Sequence, residues 1–206
     1  MKITVISAHP DDMEIACAGT LLTLQNQGHE ITNVITVCPS KEHNTQRDQN
    51  IVQNELNASI ALSGFTTLIF KTDLHDNGRP NLVVDNNTMS RLGELLEPCD
   101  LAIIPNRSDY HQDHRNTHDL VWPLMLKRAR SIFFMHSWPY CLHSKDVPTV
   151  YKDITSTWDQ KQQLLECYGS YFIGNEIEQI KLLNKQWGYV NHTNMAEAFT
   201  VGLIRA

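Results

Sequence analysis

The chain has 206 residues, of which 41% are hydrophobic, and this length and composition predict one domain spanning residues 1–206 around one core. The formal net charge is −6, and the absence of a lysine- and arginine-rich cluster argues against nucleic-acid binding. No apolar run is long enough to cross a bilayer, and the short run before the first aspartates lacks the features of a signal peptide.

The five cysteines are odd in number, widely spaced and without a CxxC pair: Cys17, Cys38, Cys99, Cys141 and Cys167. This pattern argues against a disulfide framework and against a thiolate zinc site. We therefore expect a cytoplasmic protein that acts on a small polar molecule. The sequence does not specify the oligomeric state, and a homo-oligomer is compatible with it.

Hydrophobic patterning in the first third of the chain predicts alternating strands and helices. The predicted strands cover 2–8, 31–38 and 66–70, and the predicted helices cover 14–27 and 45–63. Gly28 stands where a C-cap glycine is expected for the first helix. The order βαβαβ indicates a doubly wound α/β fold.

The same alternation continues along the rest of the chain. Residues 75–81 are rich in turn formers and predict a loop. Further strands are predicted at 100–105, 131–135 and 148–155, and further helices at 87–97, 116–130, 158–168 and 175–186, before a final apolar segment at 199–204. The whole pattern predicts a single α/β domain with a mostly parallel sheet flanked by helices.

Two polar clusters follow predicted strands directly. His9-Pro10-Asp11-Asp12 comes after the first strand, and Asp109-Tyr110-His111-Gln112-Asp113-His114 comes after the strand at 100–105. Ligands of open parallel sheets bind beyond the carboxyl ends of the strands. We therefore expect the two clusters to meet in one site.

The residue types in these clusters suit a catalytic zinc ion. Such an ion takes three nitrogen or oxygen ligands and leaves one position for water, so two histidines and one carboxylate suffice. The remaining carboxylate and histidine could serve as base and proton donor in amide hydrolysis. The residues alone do not distinguish the roles of Asp11 and Asp12, and each cluster alone could instead be a helix cap or a solvated loop.

Three segments resemble the PIG-L/LmbE-like family of zinc-dependent N-acetylglucosaminyl deacetylases. They are AHPDD at 8–12 with Glu14 and Gly19 after it, DYHQDH at 109–114, and AEAF at 196–199. The resemblance implies a Rossmann-like fold and hydrolysis of the acetamide of an N-acetylated amino sugar or its conjugate, releasing acetate and a free amine.

The resemblance also implies a role for each residue of the two clusters. His9, Asp12 and His114 would bind Zn²⁺, and Asp11 would be the general base. His111 would stabilise the oxyanion or protonate the amine, with Asp113 orienting it.

The chain departs from the family pattern in two places. An Arg-x-x-Glu pair is missing after the second strand, because Val52 stands three residues before Glu55. The glycine-rich start of the first helix is reduced to Gly19. The first departure removes an expected substrate contact.

Several other residues are candidates with an equally plausible structural interpretation. Glu14 could orient the metal ligands, or it could interact favourably with the positive end of the helix dipole. Substrate-binding candidates are Arg47, Arg107, Trp138 and Tyr140. The remaining central and C-terminal histidines are expected to be structural or solvated: His75, His118, His136, His143 and His192. His118 lies four residues after His114 and could instead be a ligand.

Two alternative functions stay open at this point. Clustered aspartates and histidines also bind metal pairs in metallophosphoesterases, and a metal- or sugar-binding protein without catalysis would keep the ligands. The N-acetylated substrate and the physiological metal are not specified by the sequence.

Overall fold

The computed structural model describes residues 1–38, 49–74 and 80–205. The strands are β1 (Lys2–Ser7), β2 (Glu30–Ile35), β3 (Thr66–Ile69), β4 (Asp73–Leu74), β5 (Pro80–Asn81), β6 (Cys99–Pro105), β7 (Ala129–Met135), β8 (Val150–Asp153) and β9 (Ala196–Ile204). The helices are α1 (Asp12–Ala16), α2 (Ala18–Asn26), α3 (Gln49–Ser63), α4 (Asn86–Gly93), α5 (Gln112–Arg128), α6 (Trp158–Glu166) and α7 (Glu176–Val190).

Seven strands form one sheet in the order β3-β2-β1-β6-β7-β9-β8, and β4 pairs with β5 in a separate antiparallel ladder. Within this sheet, the first five strands in the order (β3, β2, β1, β6 and β7) are parallel. Strand β9 runs antiparallel to both of its neighbours, β7 and β8. The predicted α/β fold with a mostly parallel sheet and flanking helices is confirmed. The strand order reverses between β1 and β6, which is where such sheets bind ligands.

The two central strands are apolar on both faces because helices cover both sides of the sheet. Ile6 and Ile104 pack with Leu120 of α5 on one face. Val5 and Ile103 pack on the other face in a cluster that α1, α2 and α6 complete. No helix within the described ranges is both long and apolar enough to span a membrane.

The first predicted helix is two helices, with the break at Cys17. The carboxylate of Glu197 accepts hydrogen bonds from the backbone N–H groups of Gly19 and Thr20, at 2.9 and 2.7 Å. These bonds cap α2 as a separate helix. Gly28 follows with a φ of 83°, as expected for a C-cap glycine.

Other boundaries differ from the predicted ones. The helix predicted at 116–130 begins at Gln112, so His111 becomes its N-cap. The helix predicted at 87–97 ends at Gly93. Residues 45–48 of a predicted helix and 75–79 of a predicted loop lie outside the described residues.

Candidate metal centre and active site

The two polar clusters meet beyond the carboxyl ends of β1 and β6. These strands are paired neighbours, with Val5 opposite Ile103. The first cluster leads from β1 into α1, and the second leads from β6 into α5. The parallel pairing therefore brings together residues about a hundred positions apart, as the sequence predicted.

His9, Asp12 and His114 form the centre of the site. Asp12 is buried, with 4% of its surface exposed, and its two oxygens face the two histidines. Oδ2 lies 3.7 Å from His9 Nδ1, and Oδ1 lies 3.1 Å from His114 Nε2. Oδ2 also accepts a hydrogen bond of 2.7 Å from the His9 backbone N–H, so the carboxylate stabilises the loop between His9 and Asp12.

The geometry of these three groups fits a metal ion. His114 Nε2 is buried and, among the described residues, has no hydrogen-bond partner, although Asp12 Oδ1 lies close by. A buried nitrogen without a hydrogen bond is costly in a native structure. Each oxygen of Asp12 faces one imidazole nitrogen, at 3.7 and 3.1 Å, and two imidazoles with one carboxylate are a donor set that Zn²⁺ accepts.

Two further carboxylates orient the histidine rings from outside. Asp113 Oδ2 lies 2.9 Å from His9 Nε2, and Asp109 Oδ2 lies 2.8 Å from His114 Nδ1. Such outer contacts are typical of metal-binding histidines, because they set the tautomer and the ring direction. Sequence reasoning assigned no role to Asp109, although its place two residues before His111 in the cluster was the available signal.

The contact of Asp113 differs from the expected one. We expected its side chain to orient His111, but the carboxylate contacts His9, and it is the backbone N–H of Asp113 that donates to His111 Nδ1 at 3.2 Å. The reason is that His111 is the N-cap of α5, so its ring turns toward the free N–H groups of the first turn.

His111 completes a group of three imidazoles. Its ring centroid is 4.7 Å from that of His9 and 5.0 Å from that of His114. One nitrogen of each of the three rings lies within 4.8 Å of the others. His111 is therefore close enough to contact a group bound at the centre or to join its ligands.

The ionisable groups of the centre influence one another strongly. Burial lowers the pKa of His9 and His114, but the carboxylates beside them outweigh it and raise the pKa to about 9 and about 10. Burial raises the pKa of Asp12, but the two histidines hold it well below its usual range. The pKa of His111 is lowered, by burial first and then by the other two histidines.

Asp11 lies beside this centre. It is buried, with 7% of its surface exposed, and it occupies the N-cap position of α1, although its side chain does not cap that helix. Its charge contributes to the raised pKa of the neighbouring Glu14. Asp12 faces both histidines, and Asp11 precedes it as a second buried carboxylate at the start of α1.

Glu14 supports the first loop from behind. Its Oε1 accepts hydrogen bonds from Ser59 and Tyr168, at 2.5 and 3.0 Å, and the Tyr168 hydroxyl also lies 2.7 Å from the carbonyl of Pro10. Burial raises the pKa of Glu14 to about 8. Glu55, the remnant of the expected Arg-x-x-Glu pair, instead binds the backbone N–H and hydroxyl of Ser170, at 2.6 and 2.7 Å.

Of the substrate-binding candidates that the structure describes, one lies in the site and two lie outside it. Tyr140 is in the site, with its ring 5.3 Å from those of both His111 and His114. Trp138 packs in a small apolar cluster behind the site. Arg107 is exposed and binds Asp119 at 2.7 Å. Arg47 lies outside the described residues.

The other histidines have structural surroundings where they are described. His118 Nδ1 lies 2.8 Å from the carbonyl of Pro105, and its ring stacks on Trp122. His136 Nε2 lies 2.8 Å from the hydroxyl of Thr200. His192 is exposed, whereas His75 and the side chain of His143 lie outside the described residues.

Solved structures share the fold. A conserved protein from Thermus thermophilus, TT1542, superimposes with a TM-score of 0.81 at 19% identity, over 99% of this chain and 95% of that one. The N,N'-diacetylchitobiose deacetylase from Pyrococcus horikoshii gives 0.77 at 17%, over 97% and 83%. The 4-carboxy-2-hydroxymuconate hydratase from Pseudomonas putida KT2440 gives 0.75 at 18%, over 100% and 97%.

These similarities concern the fold alone, which different reactions share. No curated protein matches the sequence. A sequence model described as "PIG-L: GlcNAc-PI de-N-acetylase" matches residues 4–125, which include both polar clusters. Because the match spans more than half of the chain, this protein belongs to the PIG-L family.

Proposed function

We propose that the protein hydrolyses the acetamide of an N-acetylated amino sugar or its conjugate in a zinc-dependent reaction, releasing acetate and a free amine. The observation that carries the proposal is the buried His114 Nε2, which faces Asp12 without a hydrogen bond while Asp109 orients its ring. Membership of a de-N-acetylase family supports the reaction type. The whole chain, residues 1–206, would act as one domain in the cytoplasm.

His9, Asp12 and His114 would hold the zinc ion. A bound Zn²⁺ supplies a Lewis acid that polarises a carbonyl and lowers the pKa of water. Asp113 and Asp109 keep the two imidazoles aimed at the centre through their outer nitrogens.

Asp11 and His111 would carry the proton transfers. Asp11 takes a proton from the attacking water as the water oxygen bonds to the amide carbon. His111 Nδ1 accepts a hydrogen bond from the Asp113 backbone N–H, so the neutral ring carries its proton on Nε2 and can donate to the oxyanion. The C–N bond then breaks as the leaving amine nitrogen takes the proton that Asp11 removed from the water. The water oxygen becomes the second carboxylate oxygen of acetate.

Acetate release tests this proposal. The zinc-loaded protein is incubated with N-acetylglucosamine in free, glycosidic, nucleotide-linked and lipid-linked form, with and without chelator. We expect chelator-sensitive acetate from at least one member. Release from none of them by a protein holding one zinc would contradict the proposal.

Two variants separate the roles of the adjacent aspartates. Asp11→Asn should reduce kcat by at least a hundredfold, in line with general acid–base catalysis, while keeping its zinc. Asp12→Asn should lose zinc and activity together. Asp159→Asn, on the exposed start of α6, is the matched control and should change neither property. Loss of zinc from the Asp11 variant would make Asp11 a ligand.

Rival functions give different results in the same experiment. A metallophosphoesterase would bind two metals and cleave a phosphoester. The hydratase that shares the fold makes water addition to a double bond a second candidate, and such an enzyme would release no acetate. A protein that binds zinc and sugar without turnover would release no acetate, and Asp11→Asn would leave its zinc and sugar affinities unchanged.

A further inference from the structure

Tyr140 contacts the two histidines that flank the proposed reaction centre. It lies in the connection after β7, and it is half-buried. Its ring meets those of His111 and His114 edge-on, at interplanar angles of 69° and 82° and centroid distances of 5.3 Å. The ring therefore packs against both the proposed metal ligand and the proposed oxyanion donor.

Tyr140 is held in this direction from two sides. Its hydroxyl oxygen accepts a hydrogen bond from Tyr171, and the chain next to Tyr171 is anchored because Ser170 donates to Glu55 at 2.6 Å. The connection that carries Tyr140 is tied down at Ser144, whose hydroxyl lies 2.5 Å from that of Ser108. A ring fixed at both its hydroxyl and its backbone acts as a rigid wall.

We infer that Tyr140 is a specificity-determining residue whose ring limits the length of the N-acyl chain that the site accepts. This inference rests on the proposed function. The amide carbonyl must lie within about 3 Å of the His111 proton donor, and the ring that touches both His111 and His114 then stands a few ångströms from the acyl carbon. A methyl group fits beside such a wall, whereas each added methylene needs space that the ring occupies.

A hydroxyl role for Tyr140 is the main alternative at this position. Tyr140 meets His111 and His114 through its ring, which favours a steric role over proton donation. The two roles predict different behaviour for Tyr140→Phe, since this variant keeps the ring and removes only the oxygen. A steric wall survives that change, whereas a proton donor does not.

The test measures kcat/KM for N-acetyl-, N-propionyl- and N-butyrylglucosamine, or for the same acyl series on the best amine of the panel. Wild type and Tyr140→Phe should share the same acetyl-to-butyryl ratio within about twofold. Tyr140→Ala should lower the ratio at least tenfold, chiefly through better use of the butyryl substrate. Tyr189→Ala, on an exposed tyrosine of α7, is the matched control and should keep the wild-type ratio.

The outcomes distinguish this inference from the proposed function. No acylate from any substrate with the zinc-loaded wild type would overturn both. Acetate release with an unchanged ratio in Tyr140→Ala would overturn the inference alone. Equal loss of kcat in the Phe and Ala variants would assign chemistry to the hydroxyl and overturn it as well. If Tyr140→Ala does not fold, Tyr140→Leu must shift the ratio in the same direction.

Discussion

A fully buried ion pair between Lys161 and Glu197 joins α6 and β9 to the helices that follow β1. Both side chains are 0% exposed, and Lys161 Nζ lies 2.7 Å from Glu197 Oε1. The ammonium also donates to the carbonyl of Ile15 at 2.8 Å. Replacing Lys161 with Met would leave the Glu197 carboxylate buried without its cation.

The expected cost follows from these contacts. Removing one partner of a buried pair costs about 3–5 kcal/mol. The lower end applies here because Gly19 and Thr20 still donate to Glu197, and the lost hydrogen bond to Ile15 adds about 1 kcal/mol. A total of about 4 kcal/mol corresponds to a Tm lower by about 10 °C for a chain of this size.

Urea unfolding of Lys161→Met, Glu197→Gln and the double variant measures this cost. The double variant should be less destabilised than the sum of the single variants by about 2 kcal/mol, because it leaves no unpaired charge. Lys181→Met is the control, since Lys181 forms only a 3.7 Å pair with the exposed Glu178, and its effect should stay below about 1 kcal/mol. Strict additivity in the double variant would refute the reasoning.

Three further predictions concern individual side chains. Asp109→Asn should weaken zinc binding by about 10–100-fold, because Asp109 orients His114. Competition with a chromogenic chelator measures the zinc affinity, and an unchanged affinity would contradict this expectation. Burial lowers the pKa of His136 from 6.5 to about 4, so the unfolded chain takes the proton first. Between pH 7 and pH 5, the free energy of unfolding of the wild type should therefore fall by about 2 kcal/mol more than that of His136→Gln. Urea titrations at the two pH values measure both falls, and equal falls would contradict the prediction. Arg107→Ala should change stability by less than about 1 kcal/mol and leave acetate release unaltered, since its pair with Asp119 is exposed, and a lost activity would place Arg107 in the substrate site.

Much of the site could be predicted because it depends on local patterns. An apolar run such as Lys2–Ser7 is long enough for one buried strand, and polar residues directly after it lie at its carboxyl end. Since parallel strands end at the same edge, the pattern alone placed His9 near His111 and His114. The division of roles between Asp11 and Asp12 came from the family resemblance and remains a prediction.

The partners of individual side chains could not be predicted, because they depend on how distant segments pack. Asp113 contacts His9 across 104 positions of sequence, and Glu197 caps α2 from 177 positions away. Tyr140, in the connection after β7, meets His111 only through tertiary packing. Periodicity and spacing thus predict strands, helices and the edge where chemistry collects. The direction in which each ring and carboxylate points depends instead on loop geometry and on which hydrogen bonds close-packed neighbours leave available.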